Sequence, residues 1–170
     1  MRPADAYDYL VEAREQLFER VGRLRQQQYT REFPFARHSI RATLVHVLDS
    51  ESWYARILAG EPEAGRSPFA AIRTSPFPAL REAWEHQARR TREVLARPGD
   101  PDRRIEHVSV EGRMYSHRLR TTAAGVVTQL LFHEVHHRAQ VMMMLRALGV
   151  PLQSIDYNLL RWTWFKKKKG

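Results

Sequence analysis

The segment of this chain with the clearest chemical potential is His133-Glu134-Val135-His136-His137, which places two histidines four residues apart. Four residues are about one turn of an α-helix, so the rings of His133 and His137 point the same way and can share one metal ion. His136 lies about 100° around the helix from His137, which makes it a poor ligand for the same ion. The spacing therefore indicates a metal site on His133 and His137.

A third histidine, His46, lies in a second helical segment, where its neighbours are apolar. His133 and His137 also fall on an apolar stripe, which contains Val126, Leu130, Val141 and Met144. Burying a polar ring without a partner costs about 1–3 kcal/mol. We therefore expect these imidazole rings to have a common binding partner. If the two helices pack side by side, His46 completes a three-histidine site. We predict His46 as the third ligand, in preference to Asp156 or His136.

The same five residues also match H-E-x-x-H, the signature in which a glutamate is the general base beside a zinc-bound water. Glu134 would have that role here. Metzincins need Gly and His further along, where this chain has Gln140 and Met143. No glutamate follows Glu134 to act as the third ligand of a thermolysin-like enzyme. A zinc metallopeptidase is therefore only a minor alternative.

Three further residues are candidates for proton transfer or for supporting the ligands: Glu134, Asp49 and His136. Each also has a simpler interpretation. Glu134 and His136 flank the ligand face and are expected to be exposed to solvent. Asp49 follows His46 by three residues and is expected to orient that end of the helix or to meet an arginine.

Four long amphipathic helices must position these side chains, because apolar residues recur at helical spacing in four segments. We predict helices over residues 4–27, 39–59, 78–97 and 122–148. The alternating pattern over 104–119, with Glu111-Gly112 as a turn, predicts a β-hairpin. The predicted fold class is all-α, a four-helix bundle with a short β-hairpin between the third and fourth helices.

The length and composition limit the organisation of the chain. A chain of 170 residues is suited to one domain, and we predict the bundle over 1–160 and a basic tail over 161–170. Cysteine is absent, which excludes a disulfide scaffold, a Cys-ligated metal site and a cysteine nucleophile. No apolar run approaches the ~20 residues of a membrane helix, so we expect a cytoplasmic protein with no membrane partner.

The formal net charge of +9 raises the question of a nucleic-acid partner. All four lysines stand together in the tail, at Lys166 to Lys169, and the remaining basic residues are arginines. These arginines are spread along the chain with glutamates between them, which is typical of solvated helix faces. We therefore do not expect nucleic-acid binding, and we expect the lysine tail to be dispensable for the fold.

The residues singled out above resemble a known family. His46, His133 and the string His137-Arg138-Ala139-Gln140 are similar to the pattern of the DinB-like (damage-inducible, YfiT-like) superfamily of metal-binding four-helix bundles. The usual wording of the last motif is H-x-x-x-H-R-G-Q, so an alanine here replaces a glycine. The ending Leu148-Gly149-Val150-Pro151 also resembles the family, and the resemblance extends from the first helix to about Tyr157.

The resemblance implies a divalent metal, most often zinc or nickel, held by His46, His133 and His137 with positions open to water or substrate. Characterised relatives include transferases and isomerases that use low-molecular-weight thiols such as bacillithiol or mycothiol, and many members are homodimers. The function implied is a stress-related metal-dependent enzyme, a thiol S-transferase or a hydrolase, with a small thiol and an electrophile as partners. The alternative is a non-catalytic, metal-stabilised binding protein or homodimer.

Overall fold

The structure is a computed structural model that describes residues 2–62, 67–111 and 115–165. Gly112 of the predicted turn and Lys166 to Lys169 lie outside the described residues. The chain is mostly helical and has one two-stranded antiparallel hairpin, as predicted. The elements are, in order, α1 Pro3–Val21, α2 Gln26–Tyr29, α3 Ile40–Ala59, a 3₁₀ turn Ala70–Thr74, α4 Phe77–Ala96, β1 Arg104–Glu111, β2 Tyr115–Thr122, α5 Ala123–Ala147 and α6 Tyr157–Arg161.

The four long helices contact one another in a closed order. Helix α1 packs against α4 and α5, and α3 packs against the same two helices. Their inward faces form one apolar core, whose largest fully buried side chains include Trp84, Tyr7, Phe18 and Leu48. Helices α3 and α5, which carry the three histidines of interest, are thus direct neighbours.

Side-chain caps define where these two neighbouring helices begin. The Ser39 hydroxyl accepts a hydrogen bond from the backbone N–H of Ala42, and Thr122 accepts one from Gly125. Each cap satisfies a backbone donor that the first helical turn leaves free. Helix α3 ends at Gly60, whose φ of 72° lies in the left-handed region that glycine adopts at little cost. The predicted bounds of both helices agree with the structure to within one residue.

The first helix is shorter than predicted, because it ends at Val21 and not near residue 27. The backbone N–H of Gly22 still bonds to the carbonyl of Phe18, but the next residues form tighter turns before α2 begins. Glycine is a poor helix former. A Cβ on Gly22 would lie 3.2 Å from the Phe18 carbonyl oxygen and 3.4 Å from the Phe77 ring of α4.

The β-hairpin lies between α4 and α5, as predicted. Its strands pair in register from Arg104 opposite Thr122 to Glu111 opposite Tyr115. Near the base, Ile105 is buried in the core, whereas Val108 further along is 51% exposed. The base of the hairpin therefore packs on the helices, and the end of β2 leads directly into the cap of α5.

The chain after α5 returns to α1. Tyr9 donates a hydrogen bond to the carbonyl oxygen of Ile155, at 3.2 Å, and Arg161 at the end of α6 pairs with Glu12. The short helix α6 was not among the predicted elements. Within the described ranges, we find no helix whose length and apolar character would let it cross a membrane.

Candidate metal centre

The structure brings His46, His133 and His137 together across the contact between α3 and α5. The Nε2 atoms of His46 and His133 are 3.1 Å apart. The ring centroids of the three pairs lie 4.5–4.9 Å apart. One nitrogen from each ring can be chosen so that all three lie within 4.8 Å of one another. Helices α3 and α5 thus pack side by side, and His46 lies beside the two histidines of α5.

The three rings are half-buried, at the edge of the core. The sequence stripe predicted the two α5 histidines on the core-facing seam itself. In the structure, the centre of that seam is occupied by Leu130, Glu134 and Val141. The three histidines therefore lie beside this buried line of side chains and are partly exposed to solvent.

Burial keeps these imidazoles neutral. It lowers the pKa of His46 and of His133 to about 4, and the positive charge of Arg37 and the neighbouring rings act in the same direction. Burial also lowers the pKa of His137, followed by the effects of His136 and Arg37, although a hydrogen bond to Gln140 opposes them. A neutral imidazole has a free lone pair, which is the form that binds a metal.

A glutamine fixes the orientation of one ring. The Nδ1–H of His137 donates to the side-chain oxygen of Gln140 at 2.7 Å, which leaves Nε2 with the lone pair for a ligand role. The Gln140 amide in turn donates to Nε2 of the exposed His136, at 2.9 Å. The sequence motif included Gln140, but we predicted no function for it. Its spacing of three residues from His137 is the signal that pointed to this contact.

The donor set suits a divalent transition metal. Bonds of about 2.0–2.1 Å in a tetrahedral arrangement put two ligand nitrogens about 3.3–3.4 Å apart, close to the 3.1 Å between the Nε2 atoms of His46 and His133. Imidazole nitrogen is a ligand for zinc, nickel, copper and iron, so the rings alone do not select one metal. The described residues supply three protein ligands, and three ligands leave a position for water or substrate.

Comparison with known proteins assigns the family. The model of the DinB family matches residues 2–168. The chain belongs to the DinB family. The match spans nearly the whole chain and includes all three histidines, which confirms the resemblance noted in the sequence. No curated protein matches this DinB chain.

Glu134 of this DinB protein does not have the environment predicted for it. It is buried, not exposed, and both carboxylate oxygens accept hydrogen bonds from Arg14 of α1, at 3.1 and 2.5 Å. Burial raises the pKa of Glu134, and the Arg14 charge opposes that change. A carboxylate held in the core by a guanidinium is not the free base beside a metal that H-E-x-x-H chemistry requires. The metallopeptidase alternative therefore loses its general base.

Glu51 of α3 is the second acid of this buried cluster. It accepts hydrogen bonds from Arg14 at 2.7 Å, Thr91 at 2.8 Å and Trp84 at 3.2 Å, and a close one from Tyr7. These donors come from α1 and α4, so the cluster connects all four long helices of the DinB fold. Sequence reasoning placed arginines and glutamates on the solvent faces and missed it. The available signal was that Arg14 and Glu51 fall in line with the apolar residues of their helices.

The other two candidates lie apart from the ligand group. Asp49 accepts a hydrogen bond from Ser67 and pairs with Arg73 at 3.4 Å, so it anchors the connection between α3 and α4. This is the arginine contact that its position suggested. His136 is exposed, as expected, and its described polar contact is with Gln140. Neither residue belongs to the group of side chains that can share a metal.

Proposed function

We propose that this DinB protein binds a divalent metal ion on His46, His133 and His137 in a four-helix bundle and is a metal-dependent enzyme. The observation that carries the proposal is the convergence of three half-buried, neutral imidazoles. We favour zinc or nickel as the ion. The activity that we propose is transfer of a low-molecular-weight thiol to an electrophile during chemical stress in the cytoplasm.

The residues of the site are suited to this chemistry. A bound divalent cation would lower the pKa of a thiol or water in its open position. His46, His133 and His137 would hold the ion, and Gln140 would keep the His137 ring in the tautomer that binds it. The chain has no cysteine of its own, so the reacting thiol must come from a second molecule.

The test combines metal analysis with an activity assay. Purified protein is analysed for metal content and then assayed for transfer from several small thiols to a model electrophile. We expect about one ion per chain and a thiol-dependent rate that chelation removes and metal restores. The control variant, His137→Ala, should lose both metal and rate. A metal-free purified protein that takes up no zinc, nickel or cobalt would contradict the proposal.

A non-catalytic role is the second candidate, because the three histidines join α3 to α5 and an ion there would link two helices. In that case the loaded protein would be more stable but would transfer no thiol. A fourth protein ligand would favour this role. The described residues supply three, which favours the enzyme.

We also propose a homodimer. One outward face of α5 exposes three large apolar side chains, Phe132, Val135 and Met143. Their spacing puts them on one side of the helix, as expected for a surface that another chain covers. Light scattering should give the mass of a dimer for the wild type and of a monomer for Phe132→Glu. A wild-type monomer would reject this part of the proposal.

A further inference from the structure

The loop between α2 and α3 places a cation directly against the histidine cluster. Arg37 is exposed, and its Nη2 donates to the Nε2 atom of His46 across 3.4 Å. Arg37 therefore lies against the His46 side of the cluster. Within the described parts of the chain, no carboxylate lies within ion-pair distance of it.

The backbone that presents Arg37 is strained. Its two neighbours, Ala36 and His38, have φ angles of 54° and 64°, in the left-handed region that residues other than glycine seldom adopt. Such a conformation costs of order 1–3 kcal/mol and persists only where the surroundings enforce it. Strain on both sides of one exposed arginine points to a function for that side chain.

Local contacts enforce this conformation. The Phe33 N–H donates to the His38 carbonyl at 2.8 Å, and the His38 N–H donates to the Phe35 carbonyl at 3.1 Å. The His38 ring also donates from Nδ1 to the Phe33 carbonyl, at 3.2 Å. Phe33 is itself buried in the core. The loop is therefore fixed to the helices immediately before Ser39, the cap of the helix that carries His46.

The hydrogen bond from Arg37 competes with metal binding. Nε2 of His46 has one lone pair in the neutral ring, and this nitrogen is the one that lies closest to His133. The lone pair that accepts from Arg37 cannot also bind an ion. A metal ion on this nitrogen would therefore displace the hydrogen bond and free the donors of the Arg37 guanidinium.

We infer that Arg37 is an anion-binding residue of this site and that the ligand of the site carries a carboxylate close to its metal-binding atom. This inference rests on the proposed function and specifies its substrate class. A guanidinium is planar and always charged, and its paired N–H groups match the two oxygens of a carboxylate. The thiol compound used by this protein therefore also carries a carboxylate group.

The test uses the cobalt-loaded protein and two thiols with the same two-carbon backbone, mercaptoacetate and 2-mercaptoethanol, whose binding is followed in the visible spectrum of the ion. We expect the wild type to prefer mercaptoacetate. In Arg37→Gln, this preference should fall by at least about tenfold, while the affinity for 2-mercaptoethanol changes little. Arg37→Lys should retain part of the preference. The matched control Arg31→Gln, which removes an exposed arginine stacked on Phe33 in the same loop, should bind both thiols as the wild type does.

The outcomes separate the two claims. If the wild type binds no cobalt, the proposed metal site itself is wrong. If cobalt binds and Arg37→Gln keeps the full preference for mercaptoacetate, the role of Arg37 is wrong while the metal site stands. An equal loss for both thiols in Arg37→Gln would also overturn the role, since it would show a general disturbance of the loop and no recognition of the carboxylate.

Discussion

The guanidinium of Arg14 lies against both carboxylate oxygens of Glu134, with N–O distances of 3.1 and 2.5 Å and almost no exposure to solvent. The same guanidinium also pairs with Glu51. One buried cation therefore serves two buried acids. The two histidines of α5 belong to the helix that this contact holds against α1, so the ionic cluster supports the candidate metal site from the core side.

Removing the buried cation should be costly. In Arg14→Met, two carboxylates would remain in the core without their cation, and breaking such a pair costs about 3–5 kcal/mol. Urea unfolding followed by circular dichroism measures this loss. The control is Arg81→Met, which breaks an interhelical pair with Glu15 that is about two-fifths exposed and should cost under about 1 kcal/mol. Equal losses in the two variants would contradict the importance of burial.

The ligand assignment predicts opposite behaviour for two histidines. His46→Ala should weaken zinc or cobalt binding by more than about 100-fold, since a lost ligand costs more than a lost supporting contact. His136→Ala should bind within about threefold of the wild type, because this ring lies outside the ligand group. Competition with a chromogenic chelator measures both affinities. Retained binding in His46→Ala would show that α5 holds the ion without α3.

Gln140 should affect metal affinity without contacting the metal. Gln140→Leu removes the acceptor that orients His137, and loss of such a partner typically costs about 10–100-fold in affinity. Gln140→Glu keeps an acceptor oxygen at the same place and should restore most of it. If Gln140→Leu binds the ion as tightly as the wild type, the hydrogen bond does not position the ring.

Acid should destabilise the metal-free protein over a defined range. The pKa of His46 and of His133 is about 4 in the folded chain, against about 6.5 in the unfolded chain. Between these values the unfolded chain binds more protons, so the free energy of unfolding falls as the pH drops from about 6.5 to about 4. Below that range the histidines contribute no further loss.

Urea unfolding at a series of pH values measures this dependence. Protonation of carboxylates also contributes at low pH, so the comparison is with His46→Gln/His133→Gln, whose curve should be flatter between pH about 6.5 and 4. His136→Gln should keep the wild-type slope. Identical slopes in the double variant and the wild type would show that these two histidines do not cause the effect.

Metal removal should leave the helices in place. The apolar core and the Arg14 cluster do not depend on an ion, so chelation at neutral pH should lower the melting temperature while helix content stays constant. Acidification should release the ion only as the pH falls to about 4 and below, where protons compete for His46 and His133. Circular dichroism and metal analysis on the same samples measure both. Helix content lost in step with the metal would indicate a mainly structural ion.

The periodic features of the chain were predictable from sequence. Apolar spacing located α3, α4 and α5, and the i, i+4 spacing of His133 and His137 located the cluster. His46 followed because an imidazole among apolar neighbours needs a partner. These are local patterns, and their physical cause acts over one or two helical turns.

The features that escaped prediction depend on contacts between distant segments. The burial of Arg14 becomes favourable only when Glu51 and Glu134 arrive from two other helices, and no local pattern shows that they will. Arg37 was missed for a different reason, since its position results from backbone angles that its neighbours rarely adopt.

The cluster draws on residues that are far apart in sequence, since 87 positions separate His46 from His133. During synthesis on the ribosome, His46 emerges long before α5 exists, and a single imidazole does not retain an ion. A truncated product that stops before α5 would contain only one of the three histidines. Metal retention would therefore report that the whole helical core has been translated and has paired α3 with α5, and the ion would distinguish finished chains from incomplete ones.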